Sequence, residues 1–221
     1  MFGWFLALGI TSLVFFLAYI IFSIRNYKYR FKENYDIRNH FPYEFNYESK
    51  FTDNILGNIC LTLSLLFSLA LYAMVPTYKN NNGMLFVVLI TGIILTISVC
   101  LINFVPLKLL KSHLVCSVIL FVSAFMTPAS IGLTALKEYQ DFKEVTSLVM
   151  MIVALTFALF CFVLVMNPRL SLKIKMITAT NEKGEEIYVR PKYIVYAFSE
   201  WIMTFILMVS NILLIFLLMV L

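Results

Sequence analysis

Six long stretches of the chain are almost entirely apolar and contain no Lys, Arg, Asp or Glu. They are residues 1–24, 55–76, 84–107, 114–136, 147–167 and 201–221. Roughly 20 helical residues cross the hydrocarbon layer of a bilayer, which is about 30 Å thick, and each stretch has about that length. Only helices and closed barrels satisfy their backbone hydrogen bonds in lipid, and the stretches lack the alternation of barrel strands. The expected fold class is therefore an all-α polytopic membrane protein with six transmembrane helices.

The connections between these stretches indicate one bundle. The second and fourth connections, near 77–83 and 137–146, are short, so the helices on either side of each must be antiparallel neighbours. The first (25–54) and the fifth (168–200) are long, and they do not occupy corresponding places in two halves, as an inverted repeat would require. We therefore predict a single membrane domain over residues 1–221.

The fifth connection has the pattern of a small β-hairpin. Apolar and basic residues alternate over Leu172–Ile177, and Ile187–Val189 has residue types that favour strands. Between them, Asn181–Gly184 fits a type I turn closed by a left-handed glycine. The sequence therefore predicts a cytoplasmic hairpin with strands near 172–179 and 186–190.

The first connection has a similar alternation, which leaves two interpretations. Tyr27–Lys32 alternates aromatic with basic residues, and Phe41–Glu48 alternates aromatic with polar ones. In strands, the aromatic side chains would lie on one face, and the two long connections would form one cytoplasmic sheet. Alternatively, the first run is the end of helix one and the second lies in the head-group layer. Pro42 restricts the second run to an edge strand.

Charge placement predicts the orientation of the bundle. Fourteen of the 17 Lys and Arg residues lie in the first, third and fifth connections, and the formal net charge is +5. Because positively charged loops stay on the cytoplasmic side, we expect these three connections to be cytoplasmic and both termini to be outside. The first stretch has no basic segment before it and no Ala-x-Ala-like site after it, so we interpret it as a membrane span and not as a signal peptide.

Amino-acid composition indicates where the protein is located and which classes of partner are expected. The chain is 62% hydrophobic, whereas soluble domains are about half apolar. Its Lys, Asn, Ile and Phe content is typical of AT-rich bacterial genomes, so we expect a protein of the bacterial cell (plasma) membrane that is surrounded by the lipid bilayer. Basic cytoplasmic loops are normal in such a protein, and we expect no nucleic-acid partner. The sequence leaves the oligomeric state open.

Cysteine and histidine usage argues against a metal centre. The four cysteines lie inside predicted helices, which excludes a disulfide framework in the outer loops: Cys60, Cys100, Cys116 and Cys161. The two histidines, His40 and His113, lie in predicted cytoplasmic connections, and neither Cys-x-x-Cys nor His-Glu-x-x-His occurs. We expect neither a metal nor a cofactor. Because nucleophile and phosphate-loop motifs are also lacking, an enzyme is the least favoured class.

Polar residues recur along single faces of three predicted helices. Glu200, Thr204 and Asn211 follow helical spacing in the sixth helix. The other polar residues of this kind are Asn58 in the second helix and Ser123, Thr127, Ser130 and Thr134 in the fourth. Ionisable groups are costly in a bilayer, so these stripes are candidates for a pathway that begins at Glu200. The alternatives are that Glu200 lies among the head groups at a helix start and that the hydroxyl residues serve helix packing.

Three functional classes follow. The favoured one is a non-catalytic integral membrane protein, an accessory or regulatory subunit that docks a protein partner through its cytoplasmic loops. The alternatives are a small permease or channel with a pathway lined by helices two, four and six, and a membrane-embedded enzyme. The residues expected to contact a partner are aromatic or basic residues of the two long connections: Tyr43, Phe45, Tyr47, Lys173, Lys175, Tyr188 and Arg190.

The charge distribution generates a prediction about topology. The four native cysteines are first replaced. Single cysteines at Asn81 or Asp141 should then react with an impermeant thiol reagent in intact cells, whereas cysteines at Lys50, Lys111 and Lys183 should react only after permeabilisation. Labelling of residue 183 in intact cells would overturn the orientation, because basic connections of up to about 60 residues are retained on the cytoplasmic side.

Overall fold

The computed structural model of the protein describes residues 2–46, 51–77, 83–170, 177–180 and 186–221, and for 177–180 and 186–189 it describes the backbone only. Six long helices occupy most of this part of the chain. They are α1 Phe2–Phe31, α2 Ile55–Met74, α3 Gly83–Phe104, α4 Leu110–Phe142, α5 Val145–Val165 and α6 Val195–Val220. All six are long and apolar enough to cross a membrane, which confirms the prediction of an all-α membrane bundle.

Helix α6 lies at the centre of this bundle. Helices α1 to α5 each pack against the next one along the chain, and α6 contacts α1, α3, α4 and α5. In its most apolar window α6 is 67% buried, whereas α5 is only 22% buried. Helix α6 is therefore the core element around which the other helices are arranged, and α5 is the one most exposed to lipid.

Three helices are longer than the apolar stretches that predicted them. Helix α1 continues to Phe31, α4 covers Leu110–Phe142, and α6 begins at Val195. The added turns contain charged residues, which a helix can carry where it leaves the hydrocarbon layer. Lys32 and Lys143 follow the ends of α1 and α4 with φ of 59°, the left-handed conformation that commonly closes a helix.

One end of the bundle, which we call the basic face, consists of residues 25–46, 51–54, 105–113, 165–170 and 190–200. At this end the first connection packs against the helices. Its central part, residues 35–46, is here called the cap segment, and it contains the 3₁₀ turn Pro42–Phe45. Proline suits the first position of a helical turn because its φ is preset and no hydrogen bond is lost.

The described part of the first connection contains no strand, so the prediction of a sheet shared by the two long connections is wrong for these residues. Phe41 and Phe45 are buried against the bundle. Their aromatic surface gains more from this burial than from one exposed face of a small sheet. Residues Tyr27–Phe31 belong to α1, so the alternative interpretation, a helix end, holds for the first run.

Two short strands lie in the fifth connection. Strand β1, Ile177–Thr180, pairs antiparallel with β2, Glu186–Val189. Ile177 is opposite Val189, and Thr180 is opposite Glu186. The predicted turn Asn181–Gly184 and the first half of the predicted first strand lie outside the described residues, so the hairpin as a folded unit stays a prediction.

The contact between α2 and α3 generates a prediction about packing. A Cβ atom on Gly92 would overlap the ring of Tyr72, which is fully buried. Although alanine gains about 1 kcal/mol of helix propensity over glycine, Gly92→Ala should lower the free energy of unfolding by a net ~1–3 kcal/mol through overpacking. Reversible unfolding in mixed detergent micelles measures this.

Gly3→Ala is the matched control, because a Cβ at Gly3 meets nothing within 4 Å. It should leave the free energy of unfolding unchanged or raise it by up to about 1 kcal/mol. If Gly92→Ala is as stable as this control, α2 and α3 do not approach through Gly92.

Candidate functional site

Two ionisable side chains form a fully buried pair where α4 and α6 begin. The Nε2 atom of His113 lies 2.9 Å from Oε1 of Glu200, and both side chains are 0% exposed. The hydroxyl of Ser117, one turn along α4, donates a hydrogen bond to the same carboxylate oxygen at 2.6 Å. An isolated charge at such a site costs several kcal/mol, whereas a paired and hydrogen-bonded charge is tolerated. The two side chains therefore depend on each other.

The backbone determines where the protons of this pair lie. Nδ1 of His113 is 2.6 Å from the carbonyl oxygen of Val105, just after α3. A carbonyl only accepts hydrogen bonds, so Nδ1 carries a proton. A further proton lies either on Nε2 of His113, giving imidazolium with carboxylate, or on the Glu200 carboxyl group, giving imidazole with carboxylic acid. In both forms the pair is neutral as a unit, which is what a membrane interior favours.

The cap segment covers the pair. The rings of Phe41 and Tyr43 lie edge-on to the imidazole of His113, with centroid distances of 5.9 and 5.6 Å. Phe41 is fully buried. Beneath this cover, Oε2 of Glu200 has no hydrogen-bond partner among the described residues. The carboxyl group therefore retains an unused acceptor.

Trp201 ties the cap segment to α6. Its indole N–H donates to the hydroxyl of Tyr35 at 3.0 Å and to the carbonyl oxygen of His40 at 2.9 Å. The Tyr35 hydroxyl in turn donates to the carbonyl oxygen of Phe41 at 2.8 Å. Burial raises the pKa of Tyr35 well above its ordinary value, so the phenol stays protonated and keeps this hydrogen bond.

A bidentate ion pair joins the first connection to the fifth. The Arg190 guanidinium donates to both carboxylate oxygens of Glu44, at 2.8 and 2.7 Å. Burial acts to lower the pKa of Arg190, but its hydrogen bonds to the Glu44 carboxylate and the charge of that carboxylate raise the pKa by more, so the guanidinium stays charged. Close by, the backbone N–H of Ile194 donates to the carbonyl oxygen of Arg38 at 2.8 Å. The two connections are thus attached to each other as well as to α6.

Two members of the predicted α4 stripe contact α3. The hydroxyl oxygens of Ser123 and Ser98 are 3.2 Å apart, and those of Ser130 and Thr91 are also 3.2 Å apart. Hydroxyl pairs of this kind hold transmembrane helices together for about 1 kcal/mol or less each. At these positions the observed contacts are those of helix packing.

The other two members of the α4 stripe bond within their own helix. Thr127 and Thr134 donate to the carbonyl oxygens of Ser123 and Ser130, each at 2.8 Å. The Pro128 ring lies between them inside α4. Proline removes one backbone donor from a helix, and neighbouring hydroxyl groups commonly satisfy the backbone around it.

The α6 stripe divides into two separate sites. Thr204 donates to the carbonyl oxygen of Glu200 within α6, at 2.8 Å. Further along α6, the amide of Asn211 donates to the hydroxyl oxygens of Ser68 and Ser12, at 2.8 and 3.3 Å. Asn211 therefore fastens α6 to α1 and α2, and its polar contacts do not include Glu200 or Thr204.

Asn58 of α2 belongs to a network that holds the end of the cap segment. Its amide donates to Oδ1 of Asn46 at 2.7 Å, and the Asn46 amide donates to the carbonyl oxygen of Asn103 at 2.9 Å. The hydroxyl of Tyr19 donates to Oδ1 of Asn103. The network joins α1, α2, α3 and the cap segment.

The residues predicted to bind a partner occupy different environments. Phe45 is buried and Tyr43 is half-buried, both in the cap segment, and Arg190 is the partner of Glu44. The backbone of Tyr188 lies in β2. The remaining three lie outside the described residues: Tyr47, Lys173 and Lys175. Their role in partner binding stays a prediction.

The geometry of the buried pair differs from that of a nucleophilic site. In such sites a hydroxyl donates to the histidine that activates it, whereas the Ser117 hydroxyl donates to Glu200. Among the residues that the structure describes, no three His, Cys, Asp or Glu side chains come together as metal ligands. The arrangement can hold a proton beneath a structural cover.

Two residues of this site were missed by the sequence analysis, His113 as a partner of Glu200 and Trp201 as the link to the cap segment. A signal was present, because a histidine and a glutamate stand at the starts of two helices predicted to begin on the same side. It was insufficient because chain order does not say that α4 and α6 are neighbours.

Comparison with known proteins provides no model for this site. No protein-family model, no curated protein and no solved structure matches the chain.

The buried pair generates a prediction about stability. His113→Leu and Glu200→Leu each leave one polar partner buried without the other, so each should lower the free energy of unfolding by ~3–5 kcal/mol. The double variant replaces both partners by apolar groups and should cost clearly less than the sum of the two. The free energies of unfolding of the wild type, both single variants and the double variant, measured in mixed micelles, complete this double-mutant cycle.

Glu144→Gln serves as the control, because Glu144 is an exposed carboxylate at the start of α5. Its cost should not exceed about 1 kcal/mol of helix-dipole interaction. Additive costs of the two leucine substitutions would mean that His113 and Glu200 do not stabilise each other.

Proposed function

We propose that this protein is a non-catalytic membrane subunit that docks a partner protein on its basic face. The observation that carries the proposal is the bidentate pair of Arg190 with Glu44, at 2.8 and 2.7 Å. A bidentate pair fixes both distance and orientation. It makes one surface from two connections that are more than 140 residues apart in the chain.

The two connections that form this surface are attached firmly to α6, which supports a role in recognition. Binding sites need a rigid support so that little conformational entropy is lost on association. The cap segment is bonded to α6 through Trp201, and Ile194 bonds to Arg38. The most buried helix of the bundle therefore carries both connections.

The paired strands supply a contact edge for a partner. An isolated two-stranded hairpin is marginal in water, and within the described part of the fifth connection β1 and β2 form a sheet of two strands. A partner that adds a strand to either edge would satisfy its backbone groups and stabilise the hairpin. In this proposal the hairpin folds fully when the partner is bound.

Charge indicates the kind of partner. Exposed basic residues surround the cap segment on the basic face: Lys28, Lys108, Lys111, Arg169 and Lys192. Such a patch attracts acidic surfaces and accelerates their association. We propose an acidic partner in the cytoplasm, with both termini outside and the protein in a bacterial plasma membrane, as the positive-inside rule indicates.

The contacts of the polar stripes agree with this proposal. Ser123 and Ser130 pair with hydroxyls of α3, and Asn211 pairs with serines of α1 and α2. These residues are used to hold helices together, which any polytopic subunit requires.

A gated pathway is the second candidate function, and the covered carboxylate favours it. Glu200 retains one acceptor oxygen without a partner among the described residues, and the rings of Phe41 and Tyr43 lie against its neighbour His113. If the cap segment moved aside, His113 and Glu200 would form the polar mouth of a pathway between α4 and α6. The third class, a membrane-embedded enzyme, has no comparable observation in its favour among the described residues.

The ion pair generates a prediction that tests the docking function. A photoreactive amino acid at Tyr193, which is 51% exposed, should form an adduct of defined mass with one partner in cells. Arg190→Glu should abolish this adduct, because two carboxylates would repel each other and separate the connections. The charge swap Arg190→Glu with Glu44→Arg should restore it.

A photoreactive residue at Trp4, which is 70% exposed on α1, is the labelling control and should give no such adduct. An adduct at Tyr193 that persists in Arg190→Glu would contradict the proposal. Solute flux in proteoliposomes that disappears in Glu200→Gln would instead favour the gated pathway.

A further inference from the structure

We propose that a cavity between α1 and the start of α2 binds the head group of one anionic phospholipid. The cavity has a volume of about 450 Å³ and opens at the basic face. One wall is the last part of α1, and the other is the 3₁₀ turn Phe51–Asn54 with the first residues of α2. This site is separate from His113 and Glu200, and its lining includes neither Glu44 nor Arg190 of the proposed docking surface.

The lining of the cavity changes from polar to apolar along the membrane normal. Arg25, Tyr29 and Thr52 line its polar part, whereas Phe22 and Leu56 line its apolar part. At 1.5 Å per residue, Phe22 lies about 4.5 Å deeper in the membrane than Arg25. A phospholipid has the same order, with a phosphate at the surface and acyl chains directly below it.

Arg25 supplies the charge that recognises the phosphate. Its side chain is exposed, and it makes no ion pair with any residue that the structure describes. Guanidinium groups bind phosphate oxygens in a bidentate geometry.

Asp53, the one carboxylate among the described residues that line the cavity, is already paired with an arginine. Arg30 donates to the carbonyl oxygen of Asp53 at 2.8 Å, and its guanidinium lies 3.5 Å from the Asp53 carboxylate. The amide of Asn26 also donates to the Asp53 carbonyl oxygen, at 2.7 Å. These bonds hold the wall in place and leave Arg25 as the uncompensated charge, so the cavity favours an anionic ligand.

The apolar wall distinguishes a lipid from a soluble phosphate. Phe22, Ile55 and Leu56 are 39%, 49% and 63% exposed, and they continue the polar pocket into the region of the acyl chains. A soluble phosphate would gain nothing from this surface, whereas each buried CH₂ of a chain contributes to binding. The lipid source is therefore the one we propose.

Native mass spectrometry of the detergent-solubilised full chain tests the site. Titration with phosphatidylglycerol should give one lipid of higher affinity than the rest, and phosphatidylcholine should bind more weakly. Arg25→Gln should weaken this first binding step by about fivefold, which is the contribution of one basic residue near an anionic lipid. Glycerol phosphate at millimolar concentration should not displace the bound lipid.

Lys28→Gln is the matched control, because Lys28 is an exposed basic residue on the same helix and does not line the cavity. It should change the first binding step by less than about twofold, while both variants keep the wild-type unfolding temperature without lipid. Equal losses in the two variants would mean a diffuse attraction by the basic face and would overturn the site. Displacement by glycerol phosphate would overturn the lipid as the ligand.

Discussion

The buried contact between His113 and Glu200 is the interaction on which the basic face depends. A carboxylate buried in a membrane protein requires a partner, and the imidazole supplies one at 2.9 Å. The cap segment covers the imidazole of this pair with the rings of Phe41 and Tyr43. The starts of α4 and α6 and the first connection are therefore held in one arrangement by a single electrostatic requirement.

A series of hydrogen bonds connects this pair to the cap segment and to the fifth connection. Trp201, next to Glu200 in the chain, holds the cap segment by two hydrogen bonds. The cap segment carries Glu44, which holds Arg190 and with it the fifth connection. In this way the position of one buried carboxylate is linked to the surface that we propose for partner docking.

The helices of the bundle are held together in part by hydrogen bonds between small polar side chains. Asn211 bonds to serines of α1 and α2, and the hydroxyls of α3 and α4 meet at two levels. Each contributes little, because the hydrophobic effect does not favour one apolar helix face over another in lipid. Close approach at Gly92 against Tyr72 adds packing that a larger residue would prevent. The polar stripes thus serve a structural purpose, whatever further role Glu200 has.

The sequence by itself determined the six spans and their antiparallel order, because uninterrupted apolar length and short loops leave no other arrangement in a bilayer. It also singled out Glu200 as unusual, since a carboxylate beside an apolar span is costly. Only the tertiary structure decided that α6 is central, that His113 is the partner of Glu200, and that Phe41 and Phe45 turn inward. Periodicity reports which residues share a face of one element, whereas these contacts depend on which elements become neighbours. That choice is made by the packing of the whole bundle.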